Sequence, residues 1–377
     1  MRAFVFTDKA LARHAGRFVW LSIDTEREEN AAFVEQYPIE AWPTLMVLDP
    51  RTGAAALKWM GSATVPQLEK LLEDGERAVR GDGSGLEGQL ALADKLNAEQ
   101  KQAEAEALLR KLVAEAPADW SRRPRAVESL LFSLMEQRKL EDCARLAMAE
   151  LPRLPRSASS ANLAANGLTC ALMSPKDAPW RKEAAARLEA DARAALAPPA
   201  IDMAADDRSG VYAALVDARE DAGDEAGKKK LAAEWLAFLE GEISRAPTAE
   251  ARTVFDSHLL GACLALGEPA RAIPYLEASE RALPDDYNPP ARLAVVYQRL
   301  SRLDEALAAN TRALGKVYGP RKLRVLSLRS DLLLAQGDKA GAKQAMEDAL
   351  RHARSLPPAQ VPKPLLESLE KKLQKLQ

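Results

Sequence analysis

The sequence predicts a chain of two parts: a small α/β domain over residues 1–80, then an all-α array of helical repeats over 86–377. Three observations predict it. Trp42-Pro43-Thr44 leads directly into the apolar run 45–48, which suits a strand buried on both faces. Gly81-Asp82-Gly83-Ser84-Gly85 reads as a flexible joint at 81–85. Beyond it, apolar and small residues recur at helical spacing, and near the C-terminus the pattern repeats after 34 and then 36 residues, at Gly267, Ser301 and Gly337.

Composition narrows the function classes. With 53 basic and 55 acidic side chains the charge is balanced, which argues against nucleic acid or an anionic membrane as the main partner. Aromatics are only 5% of the chain, so helices packed through small residues are expected. No apolar run is long enough to cross a bilayer, so membrane insertion is not expected. Arg2, Asp8, Lys9 and Arg13 interrupt any secretory leader. Read literally, the chain stays cytoplasmic; a leader outside these residues would make it periplasmic or extracytoplasmic.

In order, Thr7 is the expected N-cap of a helix over 8–15 that stops at Gly16. Residues 18–24 read as a strand ending in Asp24, and 28–37 as a short helix. After strand 45–48, Arg51-Thr52-Gly53 turns into a second strand over 55–60. Gly61 follows, and Thr64 caps a helix with Pro66 in its first turn and Leu68, Leu71 and Leu72 on its buried stripe. The glycine cluster at 81–85 lacks a following Gly-Lys-Ser/Thr, so it is no phosphate loop.

Taken as residues alone, Trp42-Pro43 is an ordinary X-Pro turn. With its flanks, the order of strand, helix, aromatic-Pro-Thr loop, hairpin, Gly and helix resembles the C-terminal two-thirds of a thioredoxin domain. The resemblance covers roughly residues 1–80 and rests on Asp24, Trp42, Pro43, Thr44 and Gly61. It implies a cis-proline loop at Trp42, Pro43 and Thr44 that binds substrate backbone. It also implies a Cys-x-x-Cys, yet no cysteine occurs among the first eighty residues, so it assigns no catalytic residue. The family's central strand is absent too. Each backbone group it leaves unpaired in a buried sheet would cost about 1–3 kcal/mol. Met1 is therefore expected to be an internal methionine of a longer protein.

The remainder reads as about seven helix pairs. Segments 253–286, 287–320 and 323–356 superpose, with Ala272, Ala306 and Ala342, then Ser279, Ala313 and Ala349, at matching small positions. This pattern is similar to the tetratricopeptide repeat, with Leu293, Ala294, Tyr297 and Pro284 on its motif and its Trp missing. Earlier pairs over 86–117, 128–151, 157–196 and 206–245 are more degenerate, with Ala105, Ala144 and Gly223 as markers. A capping helix is expected over 365–376. The resemblance implies a groove that holds a peptide or a partner helix.

Candidate sites are few. Cys143, Cys170 and Cys263 are far apart in sequence, so neither a disulfide framework nor zinc spacing is expected, and all three read as core residues. His14, His258 and His352 lack a second ligand at i+4, so no metal is expected, and no motif calls for a cofactor. Arg321, Lys322 and Arg324 form a basic run that reads as a solvated helix face or, alternatively, as a groove lining that attracts an acidic peptide. Two functions compete. One is a redox-inactive protein-binding scaffold with no catalytic residue. The other is a fragment of a thiol-disulfide oxidoreductase whose cysteines lie upstream and whose repeats recruit protein substrates.

Overall fold

Thr64 and Gln67 form a reciprocal capping box, Pro66 sits in the first turn, and Gly81 closes the helix in a left-handed conformation. These local signals set a helix over Val65–Arg80 that buries Leu68, Leu71 and Leu72. The computed structural model describes residues 5–39, 41–81, 84–361 and 363–376. Their contacts group the chain into two compact units, 1–17 with 40–235 and 18–39 with 236–377.

In chain order the elements are α1 (Ala31–Gln36), β1 (Thr44–Leu48), β2 (Ala55–Met60), α2 (Val65–Arg80), α3 (Gly85–Ala98), α4 (Gln102–Glu115), α5 (Arg123–Glu136), α6 (Leu140–Glu150), α7 (Ala158–Met173), α8 (Arg181–Leu196), α9 (Ala205–Asp221), α10 (Glu225–Arg245), α11 (Ala249–Thr253), α12 (Asp256–Leu266), α13 (Ile273–Ala282), α14 (Asn288–Arg299), α15 (Leu303–Leu314), α16 (Arg321–Ala335), α17 (Lys339–Ser355) and α18 (Lys363–Gln374). Short 3-10 turns cover Lys9–His14, Glu28–Asn30 and Pro358–Gln360, among others.

In the first unit β1 and β2 pair antiparallel, Thr44 opposite Met60, with an irregularity at Val47/Leu48. Gly75 lets α2 approach the strand: a Cβ there would lie 2.6 Å from a Val47 methyl. Helix α3 packs against β2 and α2, and the pairs α3/α4, α5/α6 and α7/α8 follow, with α9 against α7 and α8. In the second unit α13 packs on α14, α14 on α15, α15 on α16 and α16 on α17. Helix α18 covers the last pair, where Leu369 joins Leu323, Met346 and Leu350 in one cluster. Residues 18–39 belong to this unit, and α1 packs against the turn at Pro358–Gln360.

The repeat reading carries through to the core. Ala105, Ala144, Ala272, Ala306, Ala313, Ala342 and Ala349 are all fully buried. Gly267, Ser301 and Gly337 all turn between helices with positive φ (83°, 57° and 86°), as does Gly223. Gln100 and Arg138 do the same job at φ 60° and 58°, and sequence reading passed over them because neither is glycine. A Cβ at Gly267 would meet nothing within 4 Å, so only backbone strain opposes a substitution there. Gly267→Ala is therefore expected to cost about 1 kcal/mol, while Ser301→Gly costs nothing or adds stability. Urea denaturation of the two variants checks this; an unchanged midpoint for Gly267→Ala would contradict it.

Several expectations need correction. Residues 18–24 are not a strand, and among the described residues the sheet has only β1 and β2. An isolated extended segment has no neighbour to satisfy its backbone, and this one leaves Val19 88% and Leu21 71% exposed. A thioredoxin-like sheet is thus not formed by these residues. Strand β1, expected to be buried on both faces, is half-buried along its length, because one strand and one helix cover it. Asp8, not Thr7, caps the first helical turn: its carboxylate accepts from Ala10 N at 2.8 Å. Finally, Cys143 and Cys170 are joined in a disulfide across α6 and α7. Their separation of 27 residues hid the pairing, which adjacent helices create. The expectations on residues 1–4, Glu40, Asp82 and Gly83 lie outside the described residues.

Candidate functional site

The second unit holds a turn of its own chain, in which Arg27 N donates to Asp24 O at 3.2 Å. Residues Asp24, Thr25, Glu26 and Arg27 lie against the N-terminal ends of α14 and α16 and the loop before α16. Tyr287, at the start of α14, donates its hydroxyl to Glu26 Oε2 at 2.9 Å. Arg321, the first residue of α16, donates from Nε to the other carboxylate oxygen of Glu26. The positive end of a helix also favours a carboxylate placed there. Tyr318 donates to Asp24 Oδ2 at 2.6 Å, and the Arg27 guanidinium stacks 3.9 Å above the Tyr318 ring.

The main chain is recognised as well. Gln360 Nε2 donates to the carbonyls of Thr25 (3.1 Å) and Arg27 (2.8 Å). Gly319 leaves room for the carbonyl of Glu26: a Cβ on Gly319 would fall 2.0 Å from that oxygen. His352 Nε2 meets the Gly319 carbonyl at 2.9 Å and so ties the loop to α17. On the segment's side, Asp24 Oδ1 accepts from Glu26 N at 2.9 Å and Asn30 Nδ2 donates to Asp24 O, which holds the two carboxylates in one orientation.

Electrostatics agree with the geometry. Burial first, then the neighbouring Glu26 carboxylate, pushes the Tyr287 hydroxyl above its ordinary range. The hydrogen bond to Asp24, then burial, pushes Tyr318 up to about 12. Both hydroxyls therefore stay protonated and remain donors at neutral pH. Burial opposes the Arg321 charge, but the hydrogen bond and attraction of Glu26 outweigh it and raise its pKa. The Tyr287 ring is anchored beneath by Ala313, Val317 and Val325.

Of the basic run, only Arg321 enters this site. Lys322 is half-buried, Arg324 is exposed, and among the described residues neither forms an ion pair. Tyr287, Tyr318, Gly319 and Gln360 escaped sequence reading. The one available signal was position: Tyr287 and Arg321 open the first helices of consecutive pairs and so share an end of the array.

The Trp42, Pro43, Thr44 loop lies in the first unit. The Trp42–Pro43 bond is cis. Pro43 O accepts from Gly61 N at 2.8 Å, and Thr44 Oγ1 donates to Ala41 O at 2.7 Å. Trp42 is 61% exposed. Cys263 is buried and its thiol is pushed up to about 11 by burial, which leaves it without thiolate character. Among the described residues no group of His, Cys, Asp and Glu could hold a metal ion, and no helix is long and apolar enough to cross a membrane.

No protein-family model matches the chain, and no curated protein does. Solved structures do match. A tetratricopeptide repeat protein from Parabacteroides merdae aligns over 77% of this chain and 98% of its own, at 12% identity and a TM-score of 0.49. A thermophilic tetratricopeptide protein of Thermus thermophilus aligns over 78% and 98%, at 16% identity and a TM-score of 0.25. The TPR2AB domain of yeast Sti1, in its complex with pHSP90, aligns over 78% and 99%, at 12% identity and a TM-score of 0.30.

Proposed function

We propose that this chain is a protein-interaction scaffold of the tetratricopeptide type, whose C-terminal helix pairs hold a turn-forming polypeptide segment. In this reading residues 86–377 form the array, and of the N-terminal region residues 18–39 pack with its C-terminal helices. One observation carries it: residues 24–27 are held through both side chains and carbonyls by Tyr287, Tyr318, Arg321 and Gln360. Contacts to the main chain fit a peptide in this turn, and the paired side-chain contacts select among sequences.

Hydrogen exchange tests the seat. Residues 24–30 of the native chain are expected to exchange slowly, and Arg321→Ala is expected to speed their exchange at least about tenfold, because it strips a charged partner from Glu26. Equal exchange in both proteins would remove the observation on which the reading stands.

A second reading concerns Trp42, Pro43 and Thr44. An indole 61% exposed on a loop tied at both ends supports a protein contact there, as a thioredoxin-like module would use it. Trp42→Ala should then weaken partner binding while leaving the melting temperature unchanged. The redox form of this reading needs a Cys-x-x-Cys outside residues 1–377, and insulin reduction by a longer natural chain decides it.

A further inference from the structure

We infer that the site formed by Tyr287, Tyr318, Arg321 and Gln360 is a receptor for turn-forming segments of the pattern Asp-Thr-Glu-Arg in a partner protein, and that residues 24–27 occupy it as a displaceable internal latch. The inference rests on the scaffold reading above and adds the ligand class and the regulation.

The ligand class follows from what each group can accept. Tyr318 and the Tyr287/Arg321 pair receive two carboxylates that are two residues apart, and the turn in which Asp24 Oδ1 accepts from Glu26 N presents both to the site. The Tyr318 ring takes a cation from the residue after the second carboxylate. Gln360 and Gly319 meet the backbone of the segment, at the carbonyls of residues 25 and 27 and of residue 26. A partner segment with these features would make the same contacts to Tyr287, Tyr318, Arg321 and Gln360.

The latch follows from connectivity. The occupying segment belongs to the same chain as its receptor, so it competes at an effective concentration of roughly millimolar. An incoming peptide must therefore displace the tethered one, and its apparent affinity falls by the fraction of time the site is open. Displacement would also release residues 18–23 from their present course.

The test uses full-length chains and a fluorescein-labelled synthetic peptide that copies residues 18–39, read by anisotropy. The Asp24→Ala/Glu26→Ala chain is expected to bind the peptide at least tenfold more tightly than the native chain. Adding Arg321→Ala to that double variant should lower its affinity at least tenfold. A peptide carrying Asn and Gln in place of Asp24 and Glu26 should not compete. Equal affinity of the native and double-variant chains overturns the latch but leaves the site intact. Absence of binding to the double variant, with its melting temperature unchanged, overturns the site and the scaffold reading together. Equal competition by the uncharged peptide overturns the carboxylate pattern alone.

Discussion

Replacing Cys143 and Cys170 together by alanine is expected to lower the unfolding free energy by about 3–4 kcal/mol, the loop-closure value for a bridge of this span. The two cysteines lie 27 residues apart, on α6 and α7, and both are fully buried. Their Cα atoms are 6.2 Å apart, within bridging range. That approach exists because Gly167 faces Ala147, one turn away on the same pair of helices; a Cβ on Gly167 would fall 2.5 Å from the Ala147 methyl. Without the bridge, the unfolded chain regains the freedom of the closed loop. Urea denaturation with and without reductant measures the difference. Thiol counting in denaturant should find one free thiol, that of Cys263, and three after reduction. Three thiols before reduction would rule the bridge out. Because such bonds persist only in oxidising surroundings, the stability of the array depends on where the protein resides.

Glu128→Gln is expected to stabilise the chain at pH 8 by up to about 3 kcal/mol, and to change little near pH 4.5. Glu128 lies on α5 with 1% of its surface exposed. Burial raises its pKa from 4.5 to about 7, against hydrogen bonds from Ser159 and Asn162 that favour the charged form, while Asp207 pushes further upward. The folded state therefore holds the proton more tightly than the unfolded state. The stability this provides is complete below about pH 4.5 and is lost as pH rises through about 7. Asp207 and Asp94, each raised to about 6 chiefly by burial, act in the same direction. Glutamine keeps an oxygen that can accept from Asn162 Nδ2, now 3.1 Å from Glu128 Oε1, and never has to ionise. Thermal melts of both proteins at pH 4.5 and pH 8 check this. An equal shift at the two pH values would show that the carboxylate does not titrate in this window.

The helical array was legible residue by residue. A small residue at Ala306 or Ala342 and a left-handed turn at Gly267, Ser301 or Gly337 are local necessities of two helices packed closely, so they appear in the sequence at a fixed period. The α/β region was legible only in part. The turn residues, the helix cap at Thr64 and strands β1 and β2 were predicted, because each follows from neighbours in sequence. Residues 18–24 were misread because an apolar β-prone run states a tendency to extend, while pairing depends on a partner elsewhere in the chain. At the acceptor site Arg321 stood out as charge, but Tyr287, Tyr318 and Gln360 each look like ordinary core or loop residues until Asp24 and Glu26 are laid against them.

By itself, then, the order of residues determined the periods, the caps and the reversals that make helices and a hairpin, since those depend on contacts within a few positions. Only the tertiary structure decided that Cys143 meets Cys170, that Glu128 is buried beside Asn162, and that Glu26 rests between Tyr287 and Arg321. Each of these joins groups from 27 to 295 residues apart. Their proximity is a property of how helices stack, and no local spacing encodes it.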